Sequence, residues 1–251
     1  MLKLFLIAVL LLFLGSRLLP RLGSLLGGHA RKPFSLAKWI WSWFAGSEDE
    51  SIERERDYGR ECAQEFEMQF SGCAPPEQQE LVMLAGSRLA DACQDRRFKF
   101  RFTAVPGAAV NAYALPGGFV YITEPLLKLL GTDNDEIAFI LGHEMGHVLL
   151  GHPREQLMAS ALLSAVAKRM PGAGGMIRDA ISKGYSRELE LDADREGVRL
   201  AAAAGFDARA AVRALRRFEK ASASATGLVE YFSSHPPFAE RIERLEREIG
   251  V

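Results

Sequence analysis

The chain has 251 residues, is 48% hydrophobic and 25% charged, and carries a formal net charge of −1. That composition excludes a disordered or fibrous protein, and the length holds one domain of about 200 residues plus an appendage. The charge is unevenly placed: residues 1–47 carry Lys3, Arg17, Arg21, Arg31, Lys32 and Lys38 and no acid, for +6, whereas the remainder sums to −7. The body therefore has no basic footprint, and nucleic acid is not an expected partner.

The chain divides into residues 1–47, an N-terminal signal-anchor with a basic and aromatic membrane-proximal segment, and residues 48–251, the main domain. An unbroken apolar run from Leu4 to Leu14 follows Lys3. It is short for a membrane span of about 20 residues but the right length for the apolar core of a secretory signal. The exit LGSRLLPR offers no A-x-A-like cleavage site and no cysteine to accept a lipid, so an uncleaved anchor is expected; the other reading is a cleaved signal followed by a linker. PFSLAKWIWSWFAGS then gathers all three tryptophans beside basic residues, as interfacial segments do. Basic residues after the apolar run argue for a cytoplasmic body, and the signal-like run argues for export. The extracytoplasmic side is the expectation, with the other left open.

From Ser51 helical spacing runs to Phe70, and a second helix spans Glu77 to Cys93. RFKFRFTAV alternates Phe98, Phe100 and Phe102 with Arg97, Lys99 and Arg101, a half-buried strand. NAYAL and FVYIT flank Leu115-Pro116-Gly117-Gly118, a turn signal, and read as a hairpin or sheet edge. Asp133 to Glu136 supply caps and acids for a helix carrying FILGHEMGH, which Pro153 stops. A further helix reaches about Met170, PGAGG at 171–175 breaks it, and Ile177 to Ala204 is helical up to Gly205. DARAAVRALRRFEKA is another helix, ASASATG a small-residue loop, and PPFAERIERLEREIG a terminal amphipathic helix. The sum is an α+β domain, mostly helical with one small sheet. Cys62, Cys73 and Cys93 permit at most one disulfide, and buried free thiols are the default.

His143-Glu144-Met145-Gly146-His147 fits the HExxH zinc signature. Histidines four apart on a helix are about 40° apart around its axis, so both imidazoles leave one face, and Glu144 points elsewhere, within reach of a metal-bound water. A catalytic site needs a third protein ligand and one open position. His152 does not supply it, because HExxHxxGxxH needs its third histidine six residues after the second and here the gap is five. It reads instead as a helix C-terminal residue. Glu190 and Asp194 in GYSRELELDADREG share a helix face, with Glu190 placed as third ligand and Asp194 as the group that orients a histidine. The other reading is a solvated acidic face, since Glu188 and Asp192 lie on the same segment.

With HEMGHVLLGH, YSRELELDADREG, NAYALPGG and HPPFAER in this order, residues 55–250 resemble the HtpX/BepA-type zinc metallopeptidases (metallopeptidase family forty-eight), a gluzincin group with a zincin-like domain. The resemblance implies one zinc ion per chain, held by His143, His147 and Glu190, with Glu144 as general base and Asp194 behind the ligands. It implies that Asn111, Ala112, Tyr113 and Ala114 form the edge to which a substrate peptide adds as a strand. His235 and Arg241 become candidate partners of the oxyanion, with His235 alternatively a fourth ligand that keeps the enzyme latent or a turn residue before Pro236-Pro237. The activity implied is hydrolysis of peptide bonds in unfolded or misfolded membrane and envelope proteins. The N-terminal tail departs from the family in lacking both multiple spans and a lipoprotein cysteine. A zinc-binding chaperone or scaffold that holds clients without cleaving them is the rival reading, and intact Glu144 speaks against it. A hydrolase acting on something other than peptide is a second rival.

Overall fold

The computed structural model describes residues 47–166, 184–222, 235 and 238–250. The expected membrane anchor, the breaker at 171–175 and most of ASASATG lie outside the described residues, among which no helix is long and apolar enough to cross a membrane. Helix α1 (Glu48–Glu67) begins three residues before the hydrophobic periodicity does. The reason is the Ser47-x-x-Glu50 capping pattern, in which the Ser47 side chain accepts from the Glu50 N–H at 3.3 Å. Helix α2 (Pro76–Ala92) starts with proline at a first-turn position, where the missing N–H costs nothing.

Strand β1 (Arg101–Val105) is shorter than the Phe/Arg alternation suggests. The alternation persists upstream, with the Phe98, Phe100 and Phe102 rings stacked at 6.0 and 6.2 Å. The backbone partner, however, begins only at Phe119, opposite Arg101. Strands β2 (Ala112–Leu115) and β3 (Phe119–Thr123) form the expected antiparallel hairpin. Its loop places Gly117 and Gly118 at φ 79 and 93, a pair of conformations that glycine alone adopts without strain. The unforeseen feature is the parallel pairing of β1 with β3, which gives the order β1-β3-β2 and makes β2 an edge.

Both faces of the sheet are covered. Phe102, Ala104, Ala112, Val120 and Ile122 join the main core, and Tyr113, Leu115, Phe119 and Tyr121 join Tyr58, Cys62 and Phe66 of α1 in a second cluster. A short helix α3 (Glu124–Leu130), capped by Thr123, leads to α4 (Asn134–Leu149). The Asp133 carboxylate caps α4 by accepting from the Asp135 and Glu136 N–H groups, both at 3.1 Å. Every residue from Glu136 to Val148 is buried, so α4 is the central helix and is apolar nearly all round. At its start Arg217 forms a bidentate pair with buried Glu136, at 2.8 and 3.0 Å.

Pro153 does not end α4. The helix stops at Leu149, Gly151 turns the chain at φ 79, and His152 opens helix α5 (His152–Val166), with proline in a first-turn position that it tolerates. Helix α6 (Arg187–Ala203) likewise starts later than its pattern, after the non-helical residues 184–186, and Gly205 ends it at φ 78. Helices α7 (Ala210–Ser222) and α8 (Phe238–Ile249) complete the described chain, and the three cysteines are free, with Cys62 and Cys93 buried.

Helices α4 and α6 touch through glycine. A Cβ added at Gly142 would lie 3.0 Å from Gly197 O, one at Gly146 would lie 2.9 Å from Ala193 O, and one at Gly197 would lie 2.8 Å from His143 N. These neighbours are backbone atoms and cannot turn aside. In an open helix Gly→Ala gains about 1 kcal/mol. Here Gly197→Ala is expected instead to destabilise the chain by about 1–3 kcal/mol, the usual cost of overpacking. Chemical denaturation measures the sign directly, and a stabilised variant would show that the two helices separate freely.

Candidate metal centre

Four buried donors converge where α4 crosses α6: His143 and His147 from α4, Glu190 from α6, and His235, which precedes α8. One ligand atom from each lies within 4.8 Å of the others. The α4 spacing places the two imidazoles on one face, and their Nε2 atoms are 3.1 Å apart. Glu190 Oε1 is 3.3 Å from His147 Nε2, and Glu190 Oε2 is 3.6 Å from His143 Nε2. Three donors about 2.0–2.1 Å from a tetrahedral zinc stand about 3.3–3.4 Å apart, so this triangle has the size such an ion requires. Two facing imidazole nitrogens both offer lone pairs to a cation, whereas without one a proton must sit between them.

Charges behind this triangle hold it in place. Asp194 Oδ1 is 2.9 Å from His143 Nδ1. Arg241, only 2% exposed, grips Asp194 through Nε and Nη2, both at 2.7 Å, and its Nη1 is 2.9 Å from Glu190 Oε2. His235 Nδ1 lies 2.9 Å from each Glu190 oxygen, and its Nε2 is 3.9 Å from Glu144 Oε1. Burial by itself would raise the Glu190 and Asp194 carboxyls. The charges of His235 and Arg241 outweigh it at Glu190 and hold that group well below the usual carboxylate range, and Arg241 and His143 lower Asp194. At Glu144 burial wins and lifts the carboxyl, opposed by His235 and His143. Burial pushes His147 down to about 4 and lowers His143 too, whereas at His235 the pull of Glu190 and Glu144 exceeds burial and raises it.

The acidic segment divides by face. Glu190 and Asp194 are 0% and 1% exposed, while Glu188 and Asp192, two residues out of phase, are solvated. His152 is not a C-terminal helix residue. It is buried at the start of α5, with Nδ1 2.8 Å from His147 Nδ1. Asn111, Ala112, Tyr113 and Ala114 stand on or beside the edge strand but are no more than 9% exposed, because α1, α4 and α5 pack over β2. Tyr185, whose ring stacks on His147 at 4.0 Å and 19°, is absent from the sequence reading. A continuous helix from Ile177 hides it, and the pair Gly184 and Ser186, a helix-start signal, would have exposed it.

The model of Peptidase family M48 matches residues 76–249, most of the chain and all four converging donors. The chain belongs to this family. Its metallopeptidases are metal-dependent, and the donor triangle above fits that requirement. Among curated relatives, the chain is 28% identical over 192 residues to the mitochondrial metalloendopeptidase OMA1 of Danio rerio, covering 68% of this chain and 40% of that protein. It is 30% identical over 153 residues to the metalloprotease YcaL of Escherichia coli K12, covering 56% of this chain and 59% of YcaL. A putative beta-barrel assembly-enhancing protease of Vibrio cholerae matches at 30% over 151 residues, covering 52% of this chain and 31% of that protein. The chain thus spans less than half the length of the OMA1 proteins it matches.

Two outcomes follow for this family site. Glu190→Gln is expected to strip the metal, and Asp194→Asn to weaken its binding about 10–100-fold; metal content and a chelator competition measure both. In the metal-free chain, the value of His147 falls from 6.5 to about 4 on folding, so its contribution is complete above pH 6.5 and is lost as pH falls towards 4. His235 is raised, so its contribution is complete below 6.5 and is lost as pH climbs through its folded value. The chelator-treated chain should therefore melt at the highest temperature near pH 6.5. A melting temperature that stays flat down to pH 4 would contradict the assigned burial of His147.

Proposed function

We propose that the chain is a zinc-dependent endopeptidase acting on unfolded polypeptide, anchored to a membrane by residues 1–47 and catalytic through residues 48–251. The observation that carries this reading is a donor triangle of tetrahedral size with a buried acid, Glu144, beside it and outside it. Bound zinc would supply a Lewis acid that polarises the scissile carbonyl and lowers the pKa of a water. His143, His147 and Glu190 would hold it. Glu144, lifted by burial, takes the proton of the attacking water and returns it to the leaving amine. Asp194 orients His143.

His235, held 2.9 Å from Glu190, is a donor for the oxyanion that forms on the substrate carbonyl. Its place among the four converging donors equally supports a closed site in which it is the fourth ligand. In that second reading the chain is latent or holds clients without cleaving them. We assign Arg241 a different task from oxyanion binding, since its guanidinium already serves Asp194 and Glu190.

The edge position of β2 supports substrate binding along Asn111 to Ala114, with backbone pairing that suits unfolded chains of varied sequence. Because that edge is buried, admitting a strand requires a shift of α1 or α5. The basic tail supports a membrane location, with the extracytoplasmic side as our reading, and relatives named as mitochondrial and as beta-barrel assembly-enhancing support a role in membrane or envelope quality control.

The test is cleavage of an unfolded protein by the purified full chain, with zinc and after its removal. The wild type should cleave only with zinc. Glu144→Gln should keep about one zinc per chain and lose about 10²–10⁴-fold in rate, the usual worth of general base catalysis. If the wild type is silent with zinc bound and His235→Ala is active, the latent reading holds. Zinc-independent cleavage would exclude both.

A further inference from the structure

Each ligand histidine needs a partner for its other nitrogen. An imidazole that gives Nε2 to a metal keeps its proton on Nδ1, and in a buried site that N–H must find an acceptor. For His143 the carboxylate within reach is Asp194, with Oδ1 2.9 Å from Nδ1. Among the described residues no carboxylate takes the corresponding place at His147; the atom against its Nδ1 is Nδ1 of His152, at 2.8 Å. His152 is 5% exposed, so solvent does not substitute for it.

We propose that His152 is a positioning residue for the metal ligand His147, accepting its Nδ1 proton and so fixing both its tautomer and its ring plane. For this His152 must present a lone pair at Nδ1 and carry its own proton on Nε2. A hydrogen bond at this atom resists rotation of the His147 ring. Tyr185 limits the remaining freedom by stacking on the ring face at 4.0 Å, and it also leans over His152 at 5.8 Å. These two groups come from segments tied to each other. His152 opens α5 after the Gly151 turn, and one turn later Gln156 donates to Gly184 O at 3.0 Å, next to Tyr185. The first turn of α5 and residues 184–186 thus form one wall against the outer side of His147. This wall makes α5 part of the metal centre, although it carries no ligand.

The inference rests on His147 being a metal ligand, and the test separates the two. Zinc affinity of the full chain is measured by competition with a chromophoric chelator for the wild type, His152→Phe and His152→Asn. Phenylalanine keeps ring volume without an acceptor, and the asparagine oxygen falls close to the position of histidine Nδ1. His152→Phe should bind zinc about 10–100-fold more weakly than the wild type, with His152→Asn restored to within about threefold. Wild-type affinity in His152→Phe would overturn the proposal, as would equal losses in both variants, which indicate packing alone. A wild type without zinc affinity would remove the ligand reading and the inference together, a distinct result. Should His152→Phe fail to fold, nitrogen-15 spectra of the zinc-loaded, histidine-labelled wild type decide the matter. A proton on Nδ1 of His147 and on Nε2 of His152 is expected, and a proton on Nδ1 of His152 would overturn the assignment.

Discussion

The centre depends on how closely α4 approaches α6. Helices with ordinary side chains between them keep axes about 8–10 Å apart, and the closer end of that range needs small residues at the contact. Gly142 and Gly146 on one helix meet Gly197 and Ala193 on the other with backbone against backbone. That contact brings the Glu190 carboxylate within 3.3–3.6 Å of two imidazoles on the facing helix and brings Asp194 behind one of them. A methyl group at any of the three glycines acts on the donor triangle through the backbone that carries it. The glycine inside HEMGH and the one ending DADREG therefore belong to the site as much as the converging donors do.

Around that contact the protein buries an unusual amount of charge. Three carboxylates, a guanidinium and three imidazoles lie at 2% exposure or less, and such an assembly rarely stabilises a fold by itself. What makes it tolerable is mutual satisfaction, with Arg241 spanning Asp194 and Glu190 and His235 resting on Glu190. A divalent cation facing Glu190 and the two Nε2 atoms fits this pattern. The same web sets neighbouring acids apart: cations hold Glu190 well below the usual carboxylate range, while burial dominates at Glu144 and raises its carboxyl.

The sheet supplies a second constraint. Because β1 runs parallel to β3, the hairpin strand β2 is left at the edge nearest α4, and α1 and α5 close over its far side. Helix α5 is thereby joined to both halves of the problem. It packs Leu157 into the cluster over β2 and places His152 against His147. Movement of α5 would be felt at His147.

Much of this was legible in the chain. The HExxH spacing puts His143 and His147 on one face because a helix turns 100° per residue, and the four-residue step from Glu190 to Asp194 does the same for the acids. The cap at Asp133 and the paired glycines of the hairpin are local chemistry, so local sequence reveals them. The boundary near His152 differs because Pro153 reads as a stop or a start depending on the turn at Gly151, and the one near Tyr185 because the helical pattern runs on through Gly184 and Ser186. What only tertiary structure decided is nonlocal: the parallel β1–β3 pairing, the burial of β2, the capture of Arg241 by two carboxylates and the meeting of His152 with His147. Periodicity records which face of an element is apolar, whereas these contacts depend on which faces meet, and that is determined by packing across the whole domain.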